Sequence, residues 1–110
     1  FLHLETMRWF ADCYGGTGLL AGDPRAAPIR ATDHAGLPPV HVSVAGFDPL
    51  RDEGLGYAEA LARAGVPVTL CRHDDQVHGY WHFAPSVESS GAAREADIAA
   101  ISVALAGLAS

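Results

Sequence analysis

Pro39-Val40-His41-Val42-Ser43-Val44-Ala45-Gly46-Phe47, running straight into Asp48-Pro49-Leu50-Arg51-Asp52-Glu53-Gly54, is the stretch that decides the fold of this chain. The run through Phe47 is rich in β-branched residues, holds no Asp, Glu, Lys or Arg, and is bounded by prolines on one side and Asp48-Pro49 on the other. Such a run reads as a buried strand. From about Asp52 to Ala64 the apolar positions Leu55, Ala58, Leu61 and Ala62 recur at helical spacing. Asp52 and Glu53 suit the positive end of that helix and Gly65 its stop.

Val66-Pro67-Val68-Thr69-Leu70-Cys71-Arg72 then resumes the strand pattern. Strand, helix and strand at this spacing predict a crossover unit, which is right-handed almost without exception and makes the two strands parallel. Their carboxyl ends then face the same way, and open α/β sheets place their ligands at that edge. Asp48 leaves the first strand there. After the second strand an acidic turn leads into His78-Gly79-Tyr80, so His78 is expected at the same edge. A last helix, roughly Ala92 to Leu108, carries Ile98, Ile101, Leu105 and Leu108 on one stripe and is expected to cover a sheet face.

One carboxylate and one imidazole at a common edge read as the acid and base of a hydrolytic triad without its nucleophile. A serine hydroxyl is a poor nucleophile until an imidazole takes its proton, and a carboxylate on the other ring nitrogen fixes the useful tautomer. Asp52 competes with Asp48 for the acid's role, but its place three residues into the motif suits a helix N-terminus better. His41 alternates with apolar strand positions and is expected to be packed or bonded. His3 and His34 carry no signal.

The ordered set Leu37-Pro38-Pro39-Val40, Val42-Ser43-Val44-Ala45-Gly46-Phe47-Asp48-Pro49-Leu50-Arg51-Asp52-Glu53-Gly54, Tyr57-Ala58, Leu61, Gly65-Val66-Pro67-Val68 and Val77-His78-Gly79-Tyr80 resembles the C-terminal half of hormone-sensitive-lipase-like α/β-hydrolases, the bacterial family IV (fold-3) esterases and lipases. Upstream, Asp23-Pro24-Arg25-Ala26-Ala27-Pro28-Ile29 is similar to the loop before that strand, and Met7-Arg8-Trp9-Phe10 with Tyr14 to the helix before it. Carried over residue by residue, the family's triad acid falls on Asp48 and its general base on His78. Tyr80 stands where the family more often has phenylalanine. The resemblance implies an α/β fold in which residues 1–110 are an incomplete, C-terminal part of one hydrolase domain. Residues 1–14 would form a helix near the cleft, 15–39 a connecting loop and 40–110 a βαβα unit, with both end helices packed on the sheet. It further implies a serine carboxylester hydrolase acting on small apolar esters, with no cofactor, and dimerisation of the full-length parent through a sheet edge.

The chain order nucleophile, acid, base is that of α/β-hydrolases, so an acid followed by a base is the expected remainder. Neither a Gly-x-Ser-x-Gly elbow nor a His-Gly-Gly-Gly loop occurs in the 110 residues, and the chain by itself is expected to be inert. Ser43 lies in a strand, while Ser86, Ser89 and Ser90 precede the last helix, where caps and turns explain them. Tyr14-Gly15-Gly16-Thr17-Gly18 is glycine-rich but lacks the lysine of a phosphate loop and follows no strand, so a turn after the first helix is expected. The start of the chain, Phe1, Leu2, Leu4, Met7, Trp9 and Phe10, falls within an apolar helical pattern with no capping residue or signal peptide, as a truncated piece would.

Thirteen acidic against seven basic residues give a formal charge of −6, which argues against nucleic acid and anionic membranes as partners. No run is long and apolar enough for a membrane span, and the cytoplasm is the default compartment. Cys13 and Cys71 suggest no disulfide framework, and Cys71 is expected to be a small buried strand residue. Two other readings stay open: a hydrolase-like protein without a nucleophile that serves in binding, and a doubly wound α/β ligand-binding or metal-dependent domain in which the Asp/His pair coordinates an ion. His73, Asp74, Asp75, His78 and His82 are also crowded enough to suggest a metal site, although Gly79 and the acidic turn favour a loop there.

Overall fold

The computed structural model describes residues 2–15 and 22–108. Phe1 and the Gly16-Thr17-Gly18 part of the glycine-rich stretch lie outside the described residues, as does the side chain of Leu108. The elements are helix α1 (Leu4–Tyr14), a 3-10 turn (Pro28–Arg30), strand β1 (Val40–Phe47), helix α2 (Arg51–Arg63), strand β2 (Val68–Val77), a short helix α3 (Tyr80–Phe83) and helix α4 (Glu88–Leu108).

β1 and β2 pair in parallel across the crossover helix α2. α2 opens on Asp52 and Glu53 in its first turn and stops at Gly65, whose φ of 80° is the left-handed geometry that ends helices without cost to glycine. Successive strand residues point to opposite faces, and each face has its own helix. On one side α2 seats the fully buried Leu61 and Ala58 beneath the strands, and Gly54 lies so close that a Cβ would stand 2.8 Å from Val44 Cγ1. On the other side Ala45, Tyr80 and Ala93 form a small cluster that joins β1, α3 and α4.

β2 is longer than the pattern suggested. The acidic turn expected after Arg72 is instead strand, which continues to Val77. Its continuation is irregular. Val40 to Ala45 pair one-for-one with Val68 to His73, but the next pair is Phe47 with Val77, so β2 spends two more residues than β1 over the same rise. This bulge crosses close to β1: a Cβ on Gly46 would stand 2.1 Å from the carbonyl oxygen of Asp74. A glycine at that position admits the approach.

The inward stripe of α4 also differs from the expected one. Ser90, Ala93 and Asp97 are buried, whereas Ile98 is 46% and Leu105 61% exposed. Polar residues on the facing strands, described below, turn the helix toward Asp97 and leave Ile98 and Leu105 outside. α1 has no buried residue, with Leu4, Trp9, Phe10 and Tyr14 all exposed. Within the long connection, Ile29 of the 3-10 turn packs near Gly56 of α2, and the buried His34 ring lies 5.6 Å from that of Tyr57.

Candidate active site

The last residues paired by the two strands are Phe47 and Val77, and the next residue of each chain is Asp48 and His78. Their side chains meet. His78 Nδ1 lies 2.8 Å from Asp48 Oδ2. A carboxylate can only accept, so Nδ1 carries the proton and Nε2 presents its lone pair. The other carboxylate oxygen, Oδ1, accepts from the Leu50 backbone N–H at 2.8 Å, which holds Asp48 across the turn that opens α2. Asp48 is largely shielded, at 13% side-chain exposure, while His78 is 44% exposed. The pair therefore combines a fixed acceptor with an accessible ring.

The bulge decides which residue Asp48 meets. With the register of the first six pairs, in which each β1 residue faces the residue 28 positions later, Asp48 would stand opposite Gln76. The two extra residues of β2 deliver His78 instead. Gln76 is buried and takes a separate bond, accepting from Ser90 Oγ at 2.7 Å.

Asp52 does not reach this pair. It is 80% exposed and accepts from Arg51 Nε at 2.8 Å. Arg51 Nη1 in turn donates to the Gly46 carbonyl, tying the start of α2 to the end of β1. Four of the five residues weighed as a metal cluster take separate partners: His73 turns to Asp97, Asp74 accepts from Arg72, His78 meets Asp48, and His82 Nδ1 contacts the Gly79 carbonyl. Cys13 and Cys71 are both free thiols.

A second polar constellation lies behind His78, and its centre, Asp97, was not singled out from sequence. Asp97 is completely buried. Its Oδ1 accepts from His73 Nε2 at 3.0 Å and from Ser43 Oγ at 3.0 Å; its Oδ2 accepts from Trp81 Nε1 at 3.0 Å and from the Tyr80 hydroxyl. Ser43 Oγ also stands 2.7 Å from Tyr80 Oη. His41 Nε2 approaches Asp97 Oδ1 to 3.4 Å, outside hydrogen-bonding geometry. Burial alone would raise the Asp97 pKa, but the bonds from His73, Tyr80, Trp81 and Ser43 outweigh it and hold the carboxyl well below the usual range. The same burial, with Asp97 beside them, pushes the Tyr80 hydroxyl and the Cys71 thiol up. His41, Cys71 and Asp97 bring one donor atom each within 4.8 Å of one another, a grouping with metal-ligand chemistry. Both Asp97 oxygens are already committed to protein donors.

One signal in the sequence pointed to such a partner. His41 and Ser43 on β1, and Cys71 and His73 on β2, stand two residues apart and so share a face. Polar atoms gathered on one face of a sheet call for a polar group in the helix that covers it.

Two hollows open on the Asp48–His78 pair. One, of about 350 Å³, is walled by Ile29, Val42, Val44, Leu50 and Tyr57 with Asp48 and His78 at its polar end. The other, of about 380 Å³, lies on the α4 side between His78, Tyr80, Trp81 and Asp97. Among the described residues no helix is long and apolar enough to cross a membrane.

The family model for the alpha/beta hydrolase fold matches residues 1–82. Esterase LipI of Mycobacterium tuberculosis is 40% identical over 107 residues, which are 96% of this chain and 33% of that protein. Carboxylesterase NlhH of the same species is 46% identical over 79 residues, 72% of this chain and 24% of that protein. Among solved structures, the Pyrobaculum calidifontis esterase superposes with a TM-score of 0.81 at 36% identity, covering 94% of this chain and 34% of its own. The chain thus spans between about a quarter and a third of the length of these relatives. The paired parallel strands, the crossover helix and these matches place the chain in the alpha/beta hydrolase fold family, in its hormone-sensitive-lipase-like, bacterial family IV branch.

Proposed function

We propose that this chain supplies the acid and base of a serine carboxylester hydrolase whose nucleophile and oxyanion donors lie in sequence outside the 110 residues. The observation that carries the reading is the 2.8 Å contact of His78 Nδ1 with Asp48 Oδ2 at the coterminal ends of two parallel strands. His78 Nε2 takes the proton from a serine hydroxyl as that oxygen bonds to the ester carbonyl, and gives it to the leaving alkoxide when the tetrahedral intermediate collapses to the acyl-enzyme. Water then repeats the sequence against the acyl group, with His78 again base and then acid. Asp48 holds the ring in the required tautomer and stabilises the imidazolium. The apolar hollow beside the pair suits a small, fairly apolar ester. Names of the relatives, esterase and carboxylesterase, agree in reaction class. Residues 1–110 are read as the C-terminal part of one hydrolase domain, with the exposed apolar residues of α1 available to line the cleft. The full-length protein would need no cofactor, work in the cytoplasm and be able to dimerise through a sheet edge.

The test is hydrolysis of p-nitrophenyl acetate and butyrate by the full-length gene product, with a fluorophosphonate probe to mark the nucleophile. Turnover, and labelling of one serine outside residues 1–110, support the reading. A protein that folds but neither hydrolyses these esters nor takes the label would overturn it in favour of a binding role. A bound metal retained after dialysis and required for turnover would overturn it in favour of metal chemistry.

A further inference from the structure

Asp97 does more than close a buried polar network. Its donors sit at the two ends of one short segment. His73 is the last β2 residue in regular register before the bulge, and Tyr80 and Trp81 are the second and third residues after His78. Between these attachments the chain bulges past Gly46, leaves the strand at Val77, presents His78, and turns through Gly79 at a φ of 75°. Before His78 the segment is also tied to α4 by the Gln76–Ser90 bond. The His78 side chain itself, among the described residues, is bonded to Asp48 and is 44% exposed. A bulge and a left-handed turn are both places where the backbone can adopt more than one arrangement. The position of an imidazole on such a stretch depends on what holds its ends.

Resting on the proposed reading of the site, we infer that Asp97 is a positioning residue that clamps both ends of the His73–Trp81 segment and thereby sets His78 against Asp48 and the nucleophile. Ser43, bonded to both Asp97 and Tyr80, ties the clamp to β1, the strand that carries Asp48. The clamp therefore references His78 to the strand of its own acid. Its Tyr80 arm belongs to a side chain that stands where phenylalanine is more frequent in the resembled family, so that arm reinforces the one through Trp81. Displacement of a catalytic group by about 1 Å can cost on the order of 100-fold in rate. Substrate contacts are untouched by such a displacement, so the loss belongs in kcat.

Steady-state kinetics of the full-length hydrolase test this with Asp97→Asn and, in parallel, the Tyr80→Phe/Trp81→Phe double variant, which removes two donors and leaves the carboxylate bonded to His73 and Ser43. Leu61→Val is the comparison, because it removes buried packing on α2, on the opposite face of the sheet, without touching the clamp. All are assayed well below their melting temperatures. The expected result is a kcat lowered about 10-fold or more by Asp97→Asn and about 3- to 10-fold by the double variant, with KM within about 2-fold, and a wild-type kcat for Leu61→Val. If Asp97→Asn does not fold, the double variant decides. A kcat within about 2-fold of wild type in a folded clamp variant overturns the inference, as does an equal fall in Leu61→Val, which would mark a general structural effect. His78→Ala separates this from the reading of the site: if it stays active the site is misassigned, whereas inactive His78→Ala beside fully active clamp variants removes only the clamp.

Discussion

Two carboxylates organise this molecule, and they do so under opposite conditions. Asp48 stands at a sheet edge with one oxygen on a backbone N–H and the other on a half-exposed imidazole. Asp97 is wholly buried, and four side chains from two strands and a short helix saturate it. A proton-handling pair needs an accessible ring nitrogen and a partner that stabilises a transient charge. A structural carboxylate needs every lone pair satisfied, because an unmet buried charge is costly. The difference teaches where each residue's loss should be felt: in turnover at Asp48, and in folding as well as turnover at Asp97.

The largest expected effect tests the first half of that contrast. In the full-length protein His78→Ala and Asp48→Asn should lower kcat by about 10²- to 10⁴-fold while the thermal unfolding midpoint stays near wild type. Ester hydrolysis and circular-dichroism melts measure both. A large fall in stability with unchanged turnover would reverse the comparison.

Asp97→Ala tests the second half. It strips the acceptor from the buried Tyr80 hydroxyl and the largely shielded His73 ring and should destabilise the fold by about 3 kcal/mol, read from denaturant midpoints. A loss comparable to that of an exposed carboxylate would mean the network is not formed in solution.

Acid sharpens the same comparison. Burial opposes the Asp97 charge, yet its bonds win and the folded carboxyl titrates below its unfolded value. Its contribution is therefore present above the ordinary carboxylate range and is lost as pH falls toward the depressed folded value. Stability of the wild type should drop more steeply than that of Asp97→Asn as pH is lowered from about 5 toward 2. Parallel curves would contradict the assignment.

The smallest effect is expected at Asp52, the other aspartate of the motif. It is exposed and bonded only to its neighbour Arg51, so Asp52→Asn should leave kcat at wild type and the melting midpoint almost unmoved. Loss of turnover in Asp52→Asn with retention in Asp48→Asn would exchange their roles.

Much of the framework was legible in the residues. The β-branched run before Asp48 gave a strand over Val40–Phe47, and the spacing of Ala58 and Leu61 gave α2 its buried face. Less legible was the segment after Arg72, where charged residues suggested a turn although the chain remains paired to Val77. Charge is a poor guide in a strand that lies at a sheet edge, because alternate side chains can reach solvent there. The aliphatic stripe of α4 misled for a related reason. Periodicity favoured Ile98 and Leu105, but the polar atoms of Ser43 and His73 on the facing strands drew Asp97 inward.

The residues alone determined two parallel strands joined by a helix and put an aspartate and a histidine just beyond them, because strand and helix periodicity and turn chemistry act over a few neighbours. Only the tertiary structure decided that His78 rather than Gln76 faces Asp48, and that Asp97 holds the segment between. Both depend on how closely β2 crosses β1 at Gly46 and on which helix face meets the sheet, contacts made between residues distant along the chain.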